Sequence, residues 1–231
     1  MPPVRPRSVA ARWGQFFLGM ACFGLAISLM IRSGLGLGPW DAFHAGLARV
    51  TGITIGQASI VAGLGVLLAA MAMGMRPGLG TFANLYLFGA LVDLMLPHVP
   101  AATALPWAPF WQVAYFAAGI AGMGFGTGMY IGAAFGAGPR DGLMVALSAK
   151  LRWPVRRVRT LIEASALAAG WAMGGKLGIG TVAFMAGIGP AAQWGMQRFG
   201  LVGRGGSAAR STLRTGDPAG STTNDPDSRA A

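Results

Sequence analysis

The chain has 231 residues, 54% of them hydrophobic and only 11% charged, a balance that leaves a water-soluble domain short of polar surface. Its formal charge of +11 is carried by basic residues set between apolar runs, which fits a topology signal and excludes the continuous basic patch of a nucleic-acid-binding protein. A single cysteine, Cys22, excludes an intrachain disulfide.

Taken in chain order, residues 1–12 form a basic cytoplasmic segment with Arg5, Arg7 and Arg12, followed by an apolar run from about Trp13 to Ile31. That run has the length of a membrane span and no small-x-small cleavage site, so it reads as structure and not as a signal peptide. Further runs extend from about Ile53 to Met75, Thr81 to Leu96, Phe110 to Gly132, Val158 to Gly174 and Thr181 to Phe199. Each is suited, alone or with its flanks, to crossing about 30 Å of hydrocarbon at about 1.5 Å per helical residue. The tail, 203–231, is rich in Gly, Ser, Thr, Asp and Arg and is expected to be disordered, because it has too few large apolar residues to offset its conformational entropy.

With six spans and a cytoplasmic N-terminus, the inner side collects most of the Lys and Arg, including Arg140 and the cluster from Lys150 to Arg159. The outer side keeps Arg32, Arg49 and Lys176. Both termini are therefore expected in the cytoplasm, with the chain crossing the membrane several times.

The two halves repeat at an offset of 100 residues: Gly36-Leu37-Gly38-Pro39-Trp40-Asp41 returns as Gly136-Ala137-Gly138-Pro139-Arg140-Asp141. A second block, Met73 to Thr81, returns as Met173 to Thr181 with Gly, Thr and a basic residue in register. The expected fold class is thus an all-α membrane protein of two three-helix repeats, 13–100 and 110–200. An odd number of spans per unit inverts the second copy relative to the first.

After the first span of each unit lies a short segment, too short to cross, that is expected to form a re-entrant or interfacial helix. Trp40, Phe43, Leu47 and Val50 recur at helical spacing, and Gly52 suits the stop. Pro39 and Pro139 suit the first helical position, where a missing N–H costs nothing, and Asp41 and Asp141 fall in the first turn near the positive end of the dipole. Inversion brings the two helix starts, and Gly38 and Gly138 before them, toward a common centre.

Asp41 and Asp141 are candidates for a proton, cation or substrate site, since an acid at membrane depth usually faces a cavity; the other reading makes them helix-starting residues. Trp40 and Arg140 are the asymmetric pair of the block. Arg140 is a candidate to bind an anion or to balance the two acids, or else a topology charge. Glu163, four residues after Arg159, either pairs with it or lines a cavity. Asn84 and Gln57 either line a cavity or bridge helices. His44 shares a helix face with Asp41, but no second His or Cys completes a metal-ligand set. No catalytic group, metal site or cofactor motif stands out, and no enzyme activity is expected.

The Ser33-Gly34-Leu35-Gly36-Leu37-Gly38-Pro39-Trp40-Asp41 stretch, the Pro77-Gly78-Leu79-Gly80-Thr81 segment and their second copies resemble the YczE/YyaS/YitT family of bacterial membrane proteins. The similarity, closest to the YczE-like branch, spans about residues 13 to 199. It implies a bacterial inner-membrane protein and carries over no substrate or catalytic residue. The repeats and paired acids lead to a small permease or exporter for an unknown small molecule or ion. The alternative is a non-transporting partner or regulator of another membrane complex. Beyond the lipid bilayer, a homodimer or a protein partner remains open.

Overall fold

A computed structural model of the chain describes residues 8–135 and 138–201, apart from the side chain of Asp141. The expected disordered tail, most of the N-terminal basic segment and the Gly136-Ala137 dipeptide lie outside those residues.

Every described element is helical. They are α1 (Val9–Ser33), α2 (Pro39–Thr51), α3 (Ile55–Ala72), α4 (Leu79–Met95), α5 (Ala108–Gly132), α6 (Pro139–Leu151), α7 (Val155–Ala172) and α8 (Ile179–Arg198). Two short 3₁₀ turns, Leu96–His98 and Ala102–Ala104, join α4 to α5. Three stretches are long and apolar enough to cross a membrane: Val9–Ser33, Ile55–Ala72 and Leu79–Ala104. The other three expected spans coincide with α5, α7 and α8. The Arg156, Arg157, Arg159 and Glu163 charges on α7, and Gln193, Gln197 and Pro190 on α8, make those two helices less apolar.

Local chemistry explains the helix ends. Gly38 and Gly138 both stand before their helices in extended backbone, with φ and ψ of −63° and 162° and of −62° and 162°, and each is followed by proline at the first helical position. Gly34 ends α1 and Gly52 ends α2 in the left-handed region, at φ 73° and 75°, where glycine carries no Cβ penalty. Thr54 and Gln57 form a capping box on α3: Thr54 Oγ1 accepts from the Gln57 N–H and Gln57 Oε1 accepts from the Thr54 N–H, both at 3.1 Å. Gln57 therefore closes its own helix and neither bridges helices nor lines a cavity.

The repeated sequence folds into repeated elements: α1 and α5 have 25 residues each, α2 and α6 have 13, and α3 and α7 have 18. Most neighbouring pairs exchange when the halves are exchanged, the exception being α3 with α4, whose contact has no equivalent between α7 and α8. Helix α2 packs on α7 and α6 on α3; α1 packs on α4 and α5 on α8; α1 packs on its own counterpart, α5. The same exchange holds at single residues. Leu35 accepts a backbone hydrogen bond from Gly180 N–H at 2.9 Å, and its counterpart Phe135 presents its carbonyl to Gly80.

Helices α1 and α5 run antiparallel. Arg12 Nε donates to Ala133 O at 3.0 Å, Gln15 Nε2 to Met129 O at 2.8 Å and Cys22 Sγ to Gly122 O at 3.5 Å, so contacts climb one helix while descending the other. Small residues permit the approach: a Cβ added at Gly19 would sit 2.8 Å from Met129 Cβ, and one at Gly126 would sit 2.9 Å from Gly19 O. Phe16, Met20, Ile27, Met30, Phe88, Val92, Phe116, Met123 and Phe184 fill the centre. Large apolar residues also stand exposed on the outer faces, among them Val61, Leu64 and Leu68 on α3, Phe82 and Tyr86 on α4, and Val182 and Met185 on α8. An apolar interior inside an apolar exterior is the pattern of a protein whose solvent is lipid.

Candidate functional site

The face that α2 buries is set by the neighbours it must approach. Trp40, Phe43 and Leu47 are only partly buried and Val50 is exposed, whereas Asp41, Ala42, His44, Gly46 and Ala48 are buried. The apolar stripe expected from helical spacing is thus not the packed face. Small residues take that place because α7 crosses closely: a Cβ added at Gly170 would lie 2.6 Å from Ala42 C, and one at Gly46 would lie 2.7 Å from Gly170 O.

This orientation sinks two ionisable side chains into the protein. Asp41 is 6% exposed and His44 is 3% exposed, and neither makes a side-chain hydrogen bond among the described residues. The positive charge that acts on both is Arg140. It reaches them from the first turn of α6, the counterpart of α2.

The starts of α2 and α6 meet through Trp40 and Arg140. The guanidinium carbon of Arg140 lies 4.8 Å from the Trp40 ring centroid and 5.8 Å from that of Phe88. The rings of Trp40 and His44 are 6.3 Å apart, and His44 meets Phe88 edge-on with centroids separated by 6.2 Å. Trp40 Nε1 is the one buried side-chain polar atom without a hydrogen-bond partner among the described residues.

A cavity of about 130 Å³ opens beside this cluster. Its polar wall comes from His44, Asn84, Ser59 and Arg140, its apolar wall from Met20, Phe23, Phe88 and others, and the turn into α6 contributes Gly138 and Pro139. Asn84 Nδ2 donates to Met20 Sδ at 3.4 Å, and Ser59 Oγ donates to Gly56 O at 2.7 Å.

The remaining candidates are placed elsewhere. Asp41 and Pro39 are buried but form no part of the cavity wall, and Gly38 packs against the ring of Phe184. The backbone of Asp141 lies in the first turn of α6, and its side chain is outside the described part. Glu163 accepts from Arg159 Nε at 2.8 Å in an i,i+4 pair, away from the cavity. Sequence reasoning did not single out Met20, Phe23, Ser59, Phe88 or Tyr130 as wall residues. Only Ser59 carried a signal, as an isolated hydroxyl within an apolar run.

A family profile described as a family of unknown function, DUF6198, matches residues 10–197. The uncharacterized membrane protein YczE of Bacillus subtilis is 35% identical over 178 residues, 76% of this chain and 81% of that one. An uncharacterized protein of Haemophilus influenzae is 34% identical over 175 residues, 76% of this chain and 78% of its own. The uncharacterized protein YyaS of Bacillus subtilis is 29% identical over 172 residues, 74% and 85% of the two chains. No solved structure matches.

Proposed function

The chain belongs to the DUF6198 family of unknown function, and from that premise we propose a small permease or exporter of the bacterial inner membrane. The apolar outer faces and the three long apolar helices support the membrane setting. The antiparallel pairing of α1 with α5 and the exchange of helix neighbours support two inverted three-helix repeats. In that arrangement α1, α3, α4, α5, α7 and α8 cross, α2 and α6 are re-entrant, and both termini stay in the cytoplasm.

The observation that carries the reading is the cavity at the junction of α2 and α6, walled by both halves and lined with His44, Asn84 and Arg140. Buried polar groups in lipid are costly and are kept where they meet a solute or each other. A site between repeats is where rocking of one half against the other changes the side from which a solute enters.

The test compares the extracellular small-molecule pool of cells producing the protein with that of cells producing the Asn84→Phe variant, at matched membrane levels. A solute whose distribution differs supports a permease, and its flux is then measured in proteoliposomes with the protein, Asp41→Asn and Asn84→Phe. Indistinguishable pools with no flux above empty liposomes would overturn it.

The exposed basic face of α7, with Arg156, Arg157 and Arg159, favours a second reading as a non-transporting partner of another membrane complex. That reading expects a co-purifying protein whose association is lost when those arginines are neutralised.

A further inference from the structure

We propose that the cavity between α2, α4 and α6 is a binding site for a small carboxylate, gripped by the N–H edge of Arg140. As a statement of substrate class it rests on the permease reading; as a binding site it stands without it.

Arg140 has five N–H donors and, among the described residues, makes neither a hydrogen bond nor an ion pair. No carboxylate oxygen of a described side chain comes within 4.0 Å of its guanidinium, so buried Asp41 does not occupy it. Its contacts are the rings of Trp40 and Phe88, which attract the cation but accept little hydrogen bonding. Ring contacts hold the cation and leave its N–H donors for a ligand. A planar carboxylate matches that edge with two parallel N–H···O bonds.

The rest of the wall narrows the ligand. His44 is 3% exposed, makes no side-chain hydrogen bond and forms part of the wall, so it brings a second polar group to bear on whatever the cavity holds. Asn84 spends one N–H on a weak contact with Met20 Sδ and keeps its carbonyl oxygen and other N–H. Phe23, Phe88 and Met20 supply an apolar side suited to a short hydrocarbon tail. The volume, about 130 Å³, approaches the roughly 150 Å³ of a buried cavity that accepts benzene. One cation in the wall leaves a phosphate dianion short of partners.

The counterpart positions do not repeat these polar groups. Residues 44 and 84 correspond to Met144 and Phe184 at the offset of 100, and both are buried; the Phe184 ring presses on Gly38. The second half thus fills with apolar side chains the space that the first half lines with His44 and Asn84.

The experiment measures acetate, propionate and benzoate binding by calorimetry to the full chain in phosphatidylcholine nanodiscs, with inorganic phosphate in parallel. Saturable carboxylate binding is expected, weakened about tenfold or more by Arg140→Lys, which keeps the charge and loses the fork, and abolished by Asn84→Phe, which copies the filled counterpart without touching the charge. Folding of each variant is checked by helical circular dichroism and a single gel-filtration peak. No saturable carboxylate binding, equal binding in folded Asn84→Phe, or preference for phosphate or for phosphatidylglycerol discs would overturn the inference. Carboxylate binding with no flux in proteoliposomes would uphold the site and overturn the permease reading.

Discussion

Arg140 stands with its guanidinium carbon 4.8 Å from the Trp40 ring centroid, and the two residues occupy the same position in the two halves of the chain. Cys22 and Gly122, in contact at 3.5 Å, are a second pair of counterparts that meet. Counterparts that touch each other lie where the two halves exchange. Two arginines there would repel and two tryptophans would bring no charge, whereas one of each gives an attractive pair and a cation at the centre.

The Trp40–Arg140 contact makes a coupling that a double-mutant cycle measures. Trp40→Leu and Arg140→Gln are expected to be non-additive by about 0.5–2 kcal/mol in unfolding of the purified protein in mixed micelles. Strict additivity would mean that the contact contributes nothing.

The proposed inverted arrangement predicts opposite sidedness for counterpart positions at the ends of the short helices. In a Cys22→Ser background, Thr51→Cys is expected to react with an impermeant maleimide from outside the cell and Leu151→Cys only after the cytoplasmic face is opened. Both side chains are exposed, so equal access from one side would remove the inverted topology.

Arg152 ends α6 at φ 55°, where its counterpart Gly52 ends α2 at φ 75°. An L side chain in the left-handed region costs about 1 kcal/mol, so Arg152→Gly is expected to stabilise the protein by up to that amount despite a freer unfolded chain. A thermal scan in detergent reads the sign; a clear loss of stability would mean that the Arg152 side chain contributes more than its backbone strain.

Asp93 accepts from Gly56 N–H at 2.8 Å and from the Thr54 hydroxyl, and so secures the start of α3 to the end of α4. Asp93→Ala leaves those donors without their acceptor and is expected to cost about 1–3 kcal/mol, with Asp93→Asn milder. Amide hydrogen exchange at the first turn of α3 should rise first; unchanged protection there would show the clasp to be incidental.

Residue order alone carries what local chemistry fixes. Apolar length placed the long helices, and the register of Gly38-Pro39 with Gly138-Pro139 marked two short helices by the dihedral preferences of proline and glycine. The repeat was legible because it lies in residue identities. Tertiary structure decided which side of α2 turns inward, since helical periodicity reads burial against water and lipid removes that contrast. In lipid the close crossing of Gly46 and Gly170 governs, and it drew Asp41 and His44 inside while leaving Val50 out. The meeting of Arg140 with Trp40, and the place of Asn84 but not Glu163 in the cavity wall, follow from how the two halves pack, a relation between residues far apart in the chain that no local pattern encodes.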